Sequence, residues 1–188
     1  MSNTIEMIKR YVPYNEQEEK DKQFFIDCEN MFGQILTRDN NFCHLCSAVF
    51  VVNKERTKTL CIYHNIFKSW TFPSGHADGD DDMMYVAEKE LKEETSITNY
   101  KPVLNEPISI DSQGMFSHYK RGKFVNAHIH LNVTYLFEAD ENQETKIKED
   151  ENSNISWLTF DELLEKSTEP HMKYIFNKII EKIKKLDK

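Results

Sequence analysis

Apolar residues follow two periods along the chain, and the change of period separates the elements. Through the first 40 residues they recur at three- and four-residue spacing. "TIEMIKRYV" is broken by Pro13, and Phe24, Phe25, Cys28, Met31, Phe32, Ile35 and Leu36 then form one stripe. This spacing predicts helices whose stripe faces a core or a second copy of the chain. From Phe42 the period shortens. "LCSAVFVV" and "TLCIYH" are short apolar runs rich in β-branched residues on either side of the charged "NKERTK", which predicts a β-hairpin, and "WTFPSG" continues as a short strand. A helix is expected from about Asp82 to Thr95, then a strand in "PISI". In "VNAHIHLNVTYLF", Val125, Ala127, Ile129, Leu131, Val133, Tyr135 and Phe137 alternate with polar residues, predicting a strand with one core face and one open face. "NISWL" reads as a last strand and "TFDELLEK" as a short helix capped by Thr159 or Asp161. Met172, Ile175, Phe176, Ile179, Ile180, Ile183 and Leu186 mark a closing amphipathic helix.

Composition narrows the class. A chain of 188 residues, 39% hydrophobic and 12% aromatic, fits one globular domain able to bury its own core. The net charge of −8 argues against a protein that tracks a nucleic-acid backbone, so an anionic substrate needs local compensation such as a metal. The first residues carry charges instead of an apolar signal-peptide core and no run reaches membrane-spanning length, so no membrane partner and a cytoplasmic location are expected. Four cysteines are too few for a disulfide scaffold and should be reduced. "CHLC", Cys43 to Cys46, resembles half a zinc site. On a strand, however, residues three apart face opposite sides, and no second C-x-x-C exists, so a structural role is expected.

The loop "PSGHADGDDD", Pro73 to Asp82, precedes the helix "DDMMYVAEKELKEETSI". At about 100° per residue Met84, Ala87 and Leu91 form a narrow buried stripe. Glu90, Glu93 and Glu94 fall in the arc beside it, which one turn earlier carries Met83 and Val86, whereas Glu88 and Lys92 lie on the far side. Three carboxylates so close repel unless a cation neutralises them. Magnesium suits the task because it takes hard oxygen ligands and keeps waters that phosphate oxygens can replace. The alternative is an acidic solvated face.

Loop and helix together resemble the box of the Nudix hydrolases, G-x5-E-x7-R-E-U-x-E-E-x-G-U with U aliphatic. Gly75 opens the frame, Asp81 stands at the first acid, Lys89-Glu90-Leu91 at R-E-U, Glu93-Glu94 at E-E and Ser96-Ile97 at the end. "HLCSAVFVVN", "SWTFPSGHADGD", "HIHLNVTYLF" and "ISWLTFDEL" are similar to the surrounding strands, so the resemblance covers most of residues 42–165. It implies an α+β fold, an α/β/α sandwich around a mixed β-sheet, with residues 1–40 as an N-terminal helical extension and 41–188 as the Nudix hydrolase domain. It further implies that Gly75, Glu90 and Glu94 bind Mg2+, or Mn2+, with Glu93 as a further ligand or the group that activates water. Asp81 and Lys89 would pair to hold the loop on the helix. The implied reaction is hydrolysis of a diphosphate bond in a nucleoside diphosphate linked to another group; the alternative is a nucleotide-binding module without turnover. Three positions depart from the pattern: Asp81 is shorter than glutamate, Lys89 cannot fork as arginine does, and Ser96 replaces the helix-ending glycine.

Further candidates lie outside the box. His128 and His130 share the polar face of their strand with Asn126, Asn132 and Thr134, and either contact the substrate or are merely solvated. Glu151, in "KEDENSN", is a candidate extra catalytic acid. Trp70 and Phe72 flank the loop and either stack on a base or pack in the core. The N-terminal stripe makes a homodimer conceivable.

Overall fold

The computed structural model describes residues 3–120 and 122–186; Met1, Ser2, Arg121, Asp187 and Lys188 lie outside the described residues. The elements are α1 Asn3–Arg10, α2 Glu16–Phe32, β1 Cys43–Val52, β2 Lys58–His64, β3 Ser69–Thr71, β4 Ser74–His76, α3 Met83–Thr95, β5 Tyr100–Pro102, β6 Ser109–Met115, β7 His118–Lys120, β8 Lys123–Val125, β9 His128–Ala139, β10 Asn152–Thr159, α4 Phe160–Lys166 and α5 Pro170–Leu186. This is the expected α+β class with a mixed sheet. The chain folds as two compact units, each built from several stretches of sequence.

The first unit runs to Ser47 and takes in Gly75–Val86 and Ser109–Val133, so the N-terminal helices pack in the same unit as the aspartate-rich loop. Asn15 starts α2 by accepting the Glu18 N–H, and Gly33 stops it with a left-handed φ of 64°, its own N–H returning to the Glu29 carbonyl. That stop shortens the helical stripe read from the sequence. Phe25 and Cys28 are buried on α2, Met31 and Phe32 are exposed, and Ile35 is buried only after the helix has ended. α2 packs on α1 and β6. β4 pairs with β1, β6 pairs with β9, and β7 and β8 form a separate antiparallel hairpin that the hydropathy pattern does not predict.

The second unit comprises Ala48–Ser74, Ala87–Ile108 and the chain from Thr134. The predicted hairpin is present, with β1 and β2 antiparallel and Val52 opposite Thr59. Asn53 closes its turn by accepting the N–H groups of Thr57 and Lys58 at 2.9 and 3.0 Å. The strand order is β10-β2-β1-β9-β5, with β3 beside β2. Thr159, and not Asp161, caps α4, in a reciprocal capping box with Glu162. α5 seats Met172, Ile175, Phe176, Ile179, Ile180 and Ile183 in a core with Phe50, Phe72, Leu136 and Leu158, whereas Leu186 is exposed. Each such side chain contributes roughly 1.5–3 kcal/mol on burial, which outweighs any local helix preference.

The open face expected for β9 is not open. From Leu131 to Phe137 every residue is buried, Asn132 and Thr134 included. Alternation reports polarity, and small polar side chains can be buried when their hydrogen bonds are met inside.

α3 ends on Ser96, which takes a left-handed φ of 62° and returns its N–H to the Lys92 carbonyl at 2.9 Å. A side chain there is strained where glycine is not. Ser96→Gly is expected to raise unfolding stability by about 1 kcal/mol, read as a higher urea midpoint at unchanged slope; an unchanged or lower midpoint shows that no strain resides at this position.

Candidate functional site

In the first unit the aspartates of the loop serve the backbone. Asp78, at a left-handed φ of 49°, receives the Arg38 guanidinium in a fork of two 2.7 Å bonds. The next residue, Gly79, has φ 95° and donates its N–H to the Leu36 carbonyl. Asp80 accepts the Asp82 N–H, and Asp82 caps α3 by accepting the Tyr85 N–H at 3.1 Å. Asp81, read from the sequence as the partner of Lys89, accepts the N–H groups of Asn3 at 2.6 Å and Thr4 at 3.0 Å. It therefore neutralises the positive end of α1, a role for which a carboxylate's charge suits it; Lys89 is exposed. Gly75 lies in the short strand β4 and is partly buried.

α3 carries its glutamates deeper than their spacing suggested. Met84 is only partly buried, and the buried face is Met83, Val86, Ala87, Glu90, Leu91 and Glu94. Glu90 is 9% and Glu94 1% exposed. The remaining contacts lie in the second unit. Glu94 accepts the Ser74 N–H at 2.9 Å, and its backbone carbonyl accepts the Asn152 amide at 3.3 Å. Burial pushes the Glu94 carboxyl up to about 8; the Ser74 hydrogen bond works against this, and the charges of Glu90 and Glu151 add to it. Burial raises Glu90 as well, opposed by Lys148 and reinforced by Glu93 and Glu151.

Lys148 is the group that sequence reasoning missed. Its ammonium lies 3.2 Å from Glu93 and 2.9 Å from Glu151, so the segment of residues 148–152 brings Glu151 into the company of the α3 glutamates. Desolvation works against its charge, but the hydrogen bonds to Glu151 and Glu93 outweigh it and hold the Lys148 pKa above the ordinary lysine value. Asn152, fully buried, accepts the Lys148 N–H and fixes this segment. In sequence, "KIKEDENSN" has the look of a solvated charge run, and only the amide of Asn152 hints otherwise.

The histidines gather in the first unit. His44 on β1 stacks on His128 with ring centroids 4.8 Å apart, and His128 Nε2 lies 3.0 Å from His130 Nε2. Burial lowers the His76 pKa to about 3 and that of His130 well below the usual value, with neighbouring imidazoles adding to both; burial also lowers His44. His128 and His130 therefore belong to a packed cluster, unlike the merely solvated face that was one of the two readings open for them. The two aromatics split. Phe72, 3% exposed, sits edge-on to Phe176 in the core and is not available to stack on a base. Trp70 is half-buried against the same core, with Tyr63 at its edge. Cys43 faces away from Cys46, toward Cys28, whose thiol burial pushes up to about 12. A groove of about 480 Å³ in the second unit, lined by Lys54, Glu55, Lys101, Glu138, Asp140 and Glu141, holds none of the α3 glutamates; its net negative lining does not suit an anionic substrate.

The NUDIX domain profile matches residues 44–179, and the chain belongs to this family, a class of hydrolases acting on pyrophosphate bonds. No curated protein matches it in sequence. Solved structures do. The C. elegans Ap4A hydrolase in a binary complex aligns at 18% identity over 71% of this chain and 93% of that one, with a TM-score of 0.50. The corresponding figures are 14%, 75%, 98% and 0.54 for a MutT NUDIX hydrolase from Burkholderia pseudomallei. For the E. coli dihydroneopterin triphosphate pyrophosphohydrolase they are 13%, 72%, 94% and 0.52. At such identities the likeness establishes the fold. Among the described residues no helix is long and apolar enough to cross a membrane.

Without a divalent ion, Glu94 must lose its proton inside the protein. Its pKa is raised on folding, so the folded state retains that proton from the ordinary glutamate range up to about 8, and stability falls as pH rises through that interval. Melting temperatures in a chelator should decline over this window, and Glu94→Gln should flatten the decline; parallel curves for the two proteins would sink the assignment.

Proposed function

We propose that this hydrolase cleaves a diphosphate bond in a nucleoside diphosphate linked to another group, with magnesium, or manganese in its place, held by Glu90, Glu93 and Glu94. The observation that carries the reading is the gathering of Glu90, Glu93, Glu94 and Glu151 about one ammonium, that of Lys148. Lys148 marks where positive charge is stabilised, and the donors are hard oxygens of the kind magnesium takes. When bound, the ion would supply Lewis acidity toward phosphate oxygens and lower the pKa of an attacking water.

The protein's own groups account for the rest. Glu94 gives up its proton as positive charge arrives, because attraction then offsets the desolvation that raised its pKa, and the same attraction opposes the desolvation of Glu90. Glu151 or Glu93 accepts the proton of the attacking water. Lys148, released from Glu93 and Glu151, faces the anionic phosphate chain. The names of two similar structures, Ap4A hydrolase and dihydroneopterin triphosphate pyrophosphohydrolase, support a substrate with a phosphate chain.

Incubation with magnesium and a panel of nucleoside triphosphates, dinucleoside polyphosphates, nucleotide sugars, ADP-ribose and NADH tests the proposal. Turnover of at least one is expected, whereas binding without turnover would make the protein a nucleotide-binding module. Glu94→Gln should lower turnover on the order of a thousandfold, since charge stabilisation supplies several kcal/mol and each 1.36 kcal/mol is tenfold in rate. Glu88, which faces Lys92 at 3.9 Å, is the control, and Glu88→Gln should change little. Equal losses in the two variants, measured against magnesium concentration, remove the metal assignment.

A further inference from the structure

The strands of the first unit bring three imidazoles and a thiol together, and the hydrolytic reading uses none of them. His44 and Cys46 stand two apart on β1 and so share a face; His76 ends β4, which pairs with β1, and His130 lies near the start of β9. One ligand atom from each lies within 4.8 Å of all the others. The ring centroids of His44, His76 and His130 are 4.9 to 5.1 Å apart.

His44 shows what the cluster is suited to hold. It is 5% exposed, and its Nδ1 lies 3.2 Å from the Asn40 carbonyl, which can only accept. Nδ1 therefore carries the proton and Nε2 the lone pair, and Nε2 is buried without a hydrogen-bond partner. A backbone carbonyl that fixes one imidazole nitrogen and leaves the other as a bare donor is the usual support of a metal-binding histidine. The carbonyl is itself held in place, because the Asn40 side chain accepts the N–H groups of Phe42 and Cys43. His128 supports His130 in a similar way, with Nδ1 on the Asn126 carbonyl at 2.7 Å and Nε2 on His130.

We propose that His44, Cys46, His76 and His130 bind one Zn2+-class ion through nitrogen and sulfur, with none of the α3 carboxylates among its ligands. Imidazole and thiolate select zinc over magnesium. Tetrahedral zinc sets its donors about 3.3–3.6 Å apart, so the cluster has to contract by roughly an ångström, within reach of ring rotations. Four protein ligands leave no open position, which makes the site structural. It ties β1, β4 and β9 together, and through His76 it fixes the backbone beside Gly75.

The full-length protein, stripped of metal and kept in excess magnesium, is titrated with Zn2+ against a chromophoric chelator and, separately, loaded with Co2+. One equivalent of zinc should bind, and the cobalt protein should show tetrahedral d–d bands with a thiolate-to-cobalt charge-transfer band. Cys46→Ser should abolish the charge-transfer band, and both Cys46→Ser and His44→Gln should weaken zinc binding at least tenfold. Cys43→Ser should keep the band, and Glu94→Gln should keep the zinc stoichiometry. The inference is overturned by a folded wild-type protein that takes up no zinc, by a cobalt protein without the thiolate band whatever the variants do, or by zinc affinity unchanged in both Cys46→Ser and His44→Gln.

Discussion

Carboxylates forced together by the packing of a helix are the constraint on which the proposed chemistry of this protein rests. Met83, Val86, Ala87 and Leu91 require one face of α3 to be buried, and Glu90 and Glu94 lie on that face. Their burial is therefore a by-product of apolar packing that no rotation of the helix can relieve. The Lys148 ammonium and the Ser74 N–H stand against this charge, with Lys89 adding a lesser attraction for Glu90. Such an arrangement is stable enough to fold and still lacks positive charge, the condition under which a divalent cation and a phosphate chain are welcome.

The distribution of charge runs against first impressions. The densest run of acid, Asp78 to Asp82, is taken up by an arginine fork, two helix caps and a turn, all of them contacts that shape the backbone. The acids whose pKa values burial raises are the sparser ones on the helix. Hard oxygen donors gather in the second unit and neutral imidazoles with a thiol in the first. The two sets differ in softness and in charge, so the ions proposed for them belong to different classes.

The regular elements were legible because they rest on local periodicity: the β1–β2 hairpin, α3, α4 and α5 all follow from spacing and turn residues, whereas the box was legible through its resemblance to a family motif. Glu90, Glu93 and Glu94 could be grouped as candidates because they share one helix. The rest depends on contacts between distant segments. Nothing local reveals that Lys148 reaches Glu93 or that Asp81 turns to α1 in place of Lys89. The histidine cluster is the sharpest case. The argument that separates Cys43 from Cys46 on a strand is correct, yet the same period of two puts His44 beside Cys46, and His76 and His130 arrive from strands far along the chain. The burial of Asn132 and Thr134 was likewise invisible to a pattern that records polarity alone.

The course of β9 has a consequence for biosynthesis. Its residues up to Val133 belong to the first unit and those from Thr134 to the second. Neither unit can close while the chain is being made until this strand has emerged, so α1, α2 and the β1–β2 hairpin must wait with apolar faces uncovered. Non-local pairing of this kind slows folding and lengthens exposure to aggregation. A pause in synthesis once Ala139 has emerged would let the first unit close, while the second still waits for β10, α4 and α5.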